Sequence, residues 1–324
     1  MRHAVSEVVP RRRTRRHTSS KSRRPRPPSV LPGSHGKAVL VFLLPPLLLY
    51  VATVAFPIAE SLFLSFFRWD GITDLEFVGL ENYHDLLTSD STFRAAFLHS
   101  FGYLAINLVI QIGGALLIAN ALTYLRRGRN LLKTLYLLPA VLSTVAIALL
   151  FQRVYSFEPE GLLNQLLGAV GLDGWTRPWL SDVDTALTAV SLPEGWRFMG
   201  LYVVILLAGL LTVPREIEEA ARLDGASETR ILFRIRLPHL RPVLATTLIM
   251  AVTYGLRGFD VPYLLTNGGP GVSSELLTTY MYKTAFTSTD YGYSSAISVF
   301  IVLQCLVAVA VILTLLRRKN EALV

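Results

Sequence analysis

The chain has 324 residues, of which 52% are hydrophobic and 17% charged, with a mean hydropathy of +0.46 and a formal net charge of +8. Soluble chains carry about 25% charged residues, so the composition argues against a soluble globular protein and for a membrane protein. The single cysteine, Cys305, excludes an intrachain disulfide and leaves the redox compartment unread.

Residues 1–37 form an Arg-rich tail (Arg11, Arg12, Arg13, Arg15, Arg16, Arg23, Arg24, Arg26) interleaved with Ser, Thr and Pro. Such a segment cannot bury a core and is expected to be disordered. It suits an anchor to anionic lipid better than a nucleic-acid arm. It is not a cleavable signal, because the apolar run that follows far exceeds a signal core of roughly 7–15 residues. The paired arginines of a twin-arginine signal would have to lie closer to that run.

Six apolar stretches follow, at 38–64, 95–122, 131–152, 186–213, 242–264 and 294–316. Each approaches or exceeds the roughly 20 residues that cross a bilayer as a helix. Pro193, Glu194, Gly195 and Arg197 interrupt the fourth, which still counts as one span because 198–213 alone is short. With an inside N-terminus, 24 of the 31 Lys and Arg residues fall in the inside segments or at their borders. The positive-inside rule therefore puts both termini in the cytoplasm.

Between the spans, Ser65–Gly71 reads as a turn with an interfacial Trp69, and 77–87 as a short amphipathic helix capped near Gly79. The segment 154–183 reads as a loop of interfacial composition. The segment 265–291 opens on the turn signal Gly268-Gly269-Pro270-Gly271 and continues into the aromatics Tyr280, Tyr282 and Phe286. No internal repeat and no soluble domain is visible.

The segment 212–242 is more structured than a connector requires. Pro214 suits a first helical turn, Glu216, Glu218 and Glu219 sit near the positive end of the helix dipole, and Arg222 sits toward the negative end. Gly225 supplies a left-handed stop. Ser227 caps a second helix, running through Ile231 and Ile235 until Pro238 ends it. The helix–Gly–helix hairpin so formed carries small Ala220 and Ala221 beside Glu219, with Arg230 and Arg234 one turn apart. It can seat in a partner's groove or lie on lipid, and the residues alone leave both open.

The spacing Glu219-Ala220-Ala221, three residues, Gly225, nine residues, Ile235-Arg236-Leu237-Pro238 resembles the EAA motif of binding-protein-dependent ABC permeases. Phe77-Val78-Gly79-Leu80-Glu81-Asn82-Tyr83, Phe259-Asp260, Leu265-Thr266-Asn267-Gly268-Gly269-Pro270 and the run from Tyr280 to Ala296 resemble the first permease subunit of the maltose and glycerol-phosphate branch. The resemblance covers roughly 38–317. It implies an all-α polytopic protein with six transmembrane helices in the type I importer fold, carrying a sugar or related polyol. It further implies that Glu219, Ala220, Ala221, Gly225, Ile235, Leu237 and Pro238 belong to a loop, 214–238, that couples to an ATPase. The implied partners are a second permease subunit, two ATPase subunits, an extracytoplasmic solute-binding protein and lipid. The chain itself binds no cofactor in this reading, since ATP and Mg belong to the ATPase. The tail 1–37, the membrane domain 38–317 and a cytoplasmic end 318–324 divide the chain.

Two groups of residues offer aromatic faces and polar groups for a sugar. One is Trp196, Arg197, Phe198, Leu201 and Tyr202. The other is Tyr254, Gly255, Arg257 and Gly258. Packing explains the aromatics as readily, and Glu194–Arg197 and Arg257–Asp260 can form ion pairs three residues apart on a helix. An ion-coupled secondary transporter is the alternative function, but it wants unpaired intramembrane carboxylates in both halves. A membrane enzyme wants clustered ligands, and the six histidines are scattered. No phosphate-binding loop G-x-x-x-x-G-K-[ST] occurs, so this chain is not expected to hydrolyse nucleotide.

Overall fold

The computed structural model of the chain describes residues 35–125 and 127–321. The Arg-rich tail as far as residue 34, and residues 322–324, lie outside the described residues. The chain divides into two compact units after Ala55. The described part of the first is the helix His35–Tyr50, with Pro45 and Pro46 inside it, and the π-helical turn Val51–Ala55.

Among the described residues, the regular structure of the second unit is helical apart from one antiparallel ribbon, Phe67–Arg68 against Glu76–Phe77. The Asp70 carboxylate organises the turn between the strands. It accepts from the Ile72 and Thr73 N–H groups and from the Thr73 hydroxyl at 2.7–2.9 Å, which lowers its pKa to about 2.

Five helical segments among the described residues are long and apolar enough to cross a membrane: Leu40–Leu64, Ser91–Thr123, Ala186–Leu210, Arg241–Thr266 and Tyr291–Leu315. A sixth is the pair Arg129–Val141 and Thr144–Val154, whose axes meet at 96°. The span expected over 131–152 is thus in two pieces. Leu142 and Ser143 leave the helical region, and the Ser143 hydroxyl caps the second piece by accepting from the Ala146 N–H. Three other spans are irregular inside, the first through the π-helical turn Val51–Ala55. The second carries the π-helical turn Val109–Gly114, and the fifth breaks over Arg257–Phe259. The fourth, despite Pro193, is one continuous helix, Ala186–Leu210.

Lipid is as apolar as leucine, so spans gain little from pressing apolar faces together and meet instead through small residues. Ala115 and Ala119 of the second span are fully buried against Tyr202, Val203 and Leu206 of the fourth. Gly200 takes this furthest. A Cβ there would lie 1.8 Å from the Tyr136 carbonyl oxygen of the broken span. Toward the ribbon end, Leu86, Phe93, Leu277 and Ile297 form a second core, which fixes the short helix Glu81–Thr88 expected over 77–87.

Two segments read as loops contain helices: Leu162–Ala169 within 154–183 and Leu277–Phe286 within 265–291. Of the aromatics expected there, Tyr282 and Phe286 join Phe259 and Tyr263 in a cluster with centroid distances of 4.9–5.1 Å, while Tyr280 packs against the second core and donates to Asp90 at 2.6 Å.

Candidate functional site

The hairpin forms largely as its residues dictate. Its first helix is Arg215–Leu223, with Pro214 one place earlier than expected, at the cap. Glu216 and Glu218 occupy the first turn and Arg222 the last. Gly225 is left-handed at φ +79°, and the N–H groups of Gly225 and Ala226 close back onto the Arg222 and Ala221 carbonyls at 3.0 and 2.9 Å. Ser227 caps the second helix. That helix does not stop at Pro238, as expected. Glu228–Ile231 widens into the π-helical turn Leu232–Arg236 and continues as Leu237–His239. The extra residue in the widened turn relocates the carbonyl that the proline ring would otherwise meet, so the helix runs through.

The hairpin is held by a ring of charges that the sequence reading did not assemble. Arg236, 3% exposed, donates to both Glu218 oxygens at 2.7 and 2.8 Å. Its remaining nitrogen donates to Asn120 Oδ1 at 2.5 Å and to the Tyr124 hydroxyl at 2.8 Å, both at the end of the second span. Tyr124 donates in turn to Glu228 at 2.5 Å. Glu228 accepts from Arg222 at 2.8 Å, and Arg222 reaches back to Glu218 at 3.2 Å. Hydrogen bonds from Arg236 and Arg222 hold the Glu218 and Glu228 carboxyls below their usual range, and Arg236 is correspondingly raised. Burial, then the bond to Glu228, raises the Tyr124 hydroxyl. Only the Glu218–Arg222 pair, four residues apart on one helix, carries a local sequence signal.

The outer face of the hairpin is mixed: Arg215, Glu216, Asp224, Arg230 and Arg234 are exposed there beside large apolar side chains, while Ile231 and Leu232 are buried. Glu219 and Ala220 are exposed and Ala221 half-buried, while Leu223 is 90% exposed and Phe233 65%. Ile235, Leu237 and Pro238 are half-buried instead, Ile235 packing against the main core. The seven motif residues therefore split. Glu219, Ala220, Ala221 and Gly225 point to a free surface, and the other three toward the spans.

The second candidate is a cavity of about 270 Å³ among the second, fourth and fifth spans. Asn107, Gln111, Glu194, Phe198, Leu201, Tyr202, Tyr254 and Gly255 line it. It thus unites the two groups of residues singled out in the sequence and adds Asn107, Gln111 and Glu194. The π-helical turn at Val109–Gly114 sets the phase that aims Gln111 inward, and nothing in the sequence announces such a turn. Phe198 and Tyr254 stack at 6.4 Å as an apolar wall.

Four of the expected residues lie off the cavity. Trp196 packs edge-on against Phe151. Arg197 donates to the Thr144 hydroxyl at 2.8 Å and the Leu142 carbonyl at 3.1 Å, satisfying a carbonyl stranded by the break in the third span. Its approach to Glu194, the expected ion pair, is only 4.0 Å, and Glu194 Oε2 has no hydrogen-bond partner. Gly258 packs on the Tyr103 ring. Arg257 and Asp260, both exposed, lie on either side of the helix break, so the ion pair expected from one continuous helix does not form.

Comparison with known proteins gives one consistent result. Residues 111–322 match the family described as "Binding-protein-dependent transport system inner membrane component". The probable ABC transporter permease protein YurN of Bacillus subtilis is 37% identical over 83% of this chain and 93% of its own. The multiple sugar-binding transport system permease protein MsmF of Streptococcus mutans is 32% identical over 80% and 88%. The arabinooligosaccharides transport system permease protein AraP of Bacillus subtilis is 31% identical over 83% and 85%. Among solved structures, a chain of a bacterial ABC transporter for the acidic polysaccharide alginate superposes with a TM-score of 0.75. At 21% identity, over 88% of this chain and 96% of that one, it is a match of fold.

Proposed function

The chain belongs to the family of binding-protein-dependent transport system inner membrane components, and from that premise we propose how it works. It is a permease subunit of an ATP-driven importer for a sugar or related polyol, and the names of the relatives MsmF and AraP support the solute class. It pairs with a second, different permease subunit and with two ATPase subunits that bind ATP and Mg, and it receives solute from an extracytoplasmic binding protein. Both termini and the hairpin 214–238 face the cytoplasm, in keeping with the charge asymmetry.

One observation carries the coupling role: the large apolar side chains of Ile217, Leu223 and Phe233 stand exposed on the hairpin beside small Ala220 and the charge of Glu219. Exposed apolar groups so placed mark a surface that a partner covers. Ala220 and Ala221 allow close approach of an ATPase surface, Glu219 gives the contact a charge, and Leu223 and Phe233 supply apolar anchors. The membrane cavity forms this chain's share of the solute path.

The test uses the importer reconstituted with its ATPase and binding protein. Glu219→Lys inverts the docking charge, and Gly225→Val strains a left-handed residue by about 1–2 kcal/mol. Each should abolish solute-stimulated ATP hydrolysis while the subunit still inserts in the membrane. Full stimulation in both would overturn the docking role.

A further inference from the structure

We infer that an anionic phospholipid seats its phosphate between Arg129 and Arg215, where the third span begins beside the start of the hairpin.

Gly128, Arg129, Asn130, Leu131 and Arg215 line an open cleft of about 460 Å³ there. Arg129 is already fixed in place. Its Nε and one terminal nitrogen donate to the Leu122 and Thr123 carbonyls at the end of the second span, each at 3.0 Å, and its other terminal nitrogen is left for a ligand. Arg215 is exposed and has no ion pair among the described residues. It stands three and seven residues before Glu218 and Arg222, along the edge of the hairpin that the ring holds to the spans.

The cleft lining holds no acid. Residues 121–153 contain no Asp or Glu, and Arg127 and Lys133 flank Arg129 within them. From the hairpin, Glu218 and Glu219 line an adjoining cavity of about 260 Å³. Glu218 is spent on Arg236 and Arg222, and neither carboxylate pairs with Arg215. Two guanidinium forks facing an acid-free cleft match the oxygens of a phosphate.

The lining alone would suit any phosphate, and the helix beneath it selects lipid. Leu131, Leu135 and Leu138 continue from the cleft along one face of Arg129–Val141, each more than half exposed. An acyl chain can lie on that track, whereas a soluble phosphate would leave it bare. Basic clefts between spans at a membrane surface take anionic headgroups. A lipid so held ties the third span to the first residue of the hairpin, as the charge ring ties the second.

The experiment is native mass spectrometry of the complete importer, titrated with phosphatidylglycerol or with phosphatidylcholine of the same acyl chains. Wild type should hold one phosphatidylglycerol at least about ten-fold more tightly than phosphatidylcholine. Arg215→Gln should weaken it about ten-fold, the scale of one charge-assisted hydrogen bond, with Tm unchanged because Arg215 has no partner to lose. Arg215→Lys should recover part of the loss. Leu135→Ala should weaken it about three-fold or more through lost apolar contact. Arg234→Gln, an exposed hairpin arginine outside the cleft, should bind as wild type does. No preference for phosphatidylglycerol, unchanged binding in Arg215→Gln, or an equal loss in Arg234→Gln overturns the inference. Displacement by millimolar glycerol phosphate, with Leu135→Ala unchanged, makes a soluble phosphate the occupant and overturns the lipid. Neither ATP nor solute enters these measurements, so their failure leaves the transport reading standing.

Discussion

Two glycines show how differently one residue type can matter. Gly200 has a conventional backbone but no room, since its Cβ would strike the Tyr136 carbonyl at 1.8 Å. Gly200→Val must push the fourth span off the broken third span. We expect a loss of about 3 kcal/mol or more, beyond ordinary overpacking, read as a lower yield of folded subunit and a lower Tm. Gly225 has room, with nothing within 4 Å, and only its φ of +79° forbids a side chain. Gly225→Val should lower Tm only by what about 1–2 kcal/mol of left-handed strain removes, far less than Gly200→Val, while coupling fails. Gly225 was legible in the sequence because a left-handed stop after a capped helix is a local signal. Gly200 was not, because the carbonyl it must clear belongs to another span. Asp70 adds a pH prediction. Its pKa falls to about 2 from 3.8, so its contribution to the ribbon turn is full above about pH 4 and fades as pH falls through about 2. Hydrogen exchange at the Ile72 and Thr73 amides should accelerate over that window, and Asp70→Ala should be fast at every pH.

At the scale of elements, the charge ring decides what moves with what. Bonds from Arg236 to Glu218, Asn120 and Tyr124 make the hairpin and the end of the second span one lever. Removing Arg236 alone leaves the largely buried Glu218 carboxylate with only its 3.2 Å contact to Arg222, a loss of about 1.5–3 kcal/mol, whereas Arg236→Gln with Glu218→Gln should cost clearly less. Thermal unfolding of the two single variants and the double variant gives the coupling directly. Tyr124→Phe removes one hydroxyl shared by Arg236 and Glu228, and should lower solute-stimulated ATPase while basal hydrolysis persists. Both carboxyls in the ring are depressed, so its stabilisation is complete above the usual carboxylate pKa and declines below it. The hairpin itself was readable from caps, dipole and glycine. The ring was not, because the contacts that close it, through Arg236 and Tyr124, join residues 18 to 116 apart. The broken third span was equally hidden. Pro139 and the capping Ser143 interrupt its apolar run only briefly, and the Arg197 that satisfies its stranded carbonyl comes from the fourth span. Arg197→Gln should cost about 1–3 kcal/mol for that lost bond.

For the whole molecule, the arrangement of six spans was legible because lipid demands long apolar helices, and charge asymmetry supplied an orientation. Exposure now offers better probes of that orientation than composition did. In a Cys305→Ser background, Ile72→Cys on the ribbon, 92% exposed in the parent, should react with an impermeant thiol reagent added outside intact cells. Leu223→Cys on the hairpin, 90% exposed in the parent, should react only after permeabilisation. The reverse pattern would invert the topology. The charge ring also bears on how the gene can drift. Glu218, Arg236, Glu228 and Arg222 alternate in sign around a closed circuit completed by Tyr124, so none of the four can reverse its charge alone without leaving two like charges in contact. Descendants of this sequence meet that constraint most at Arg236 and Glu218, which are largely buried, and least at Arg222 and Glu228, which stand partly in water. Leu223, which touches nothing so constrained, is free to change at the pace of whatever surface it meets.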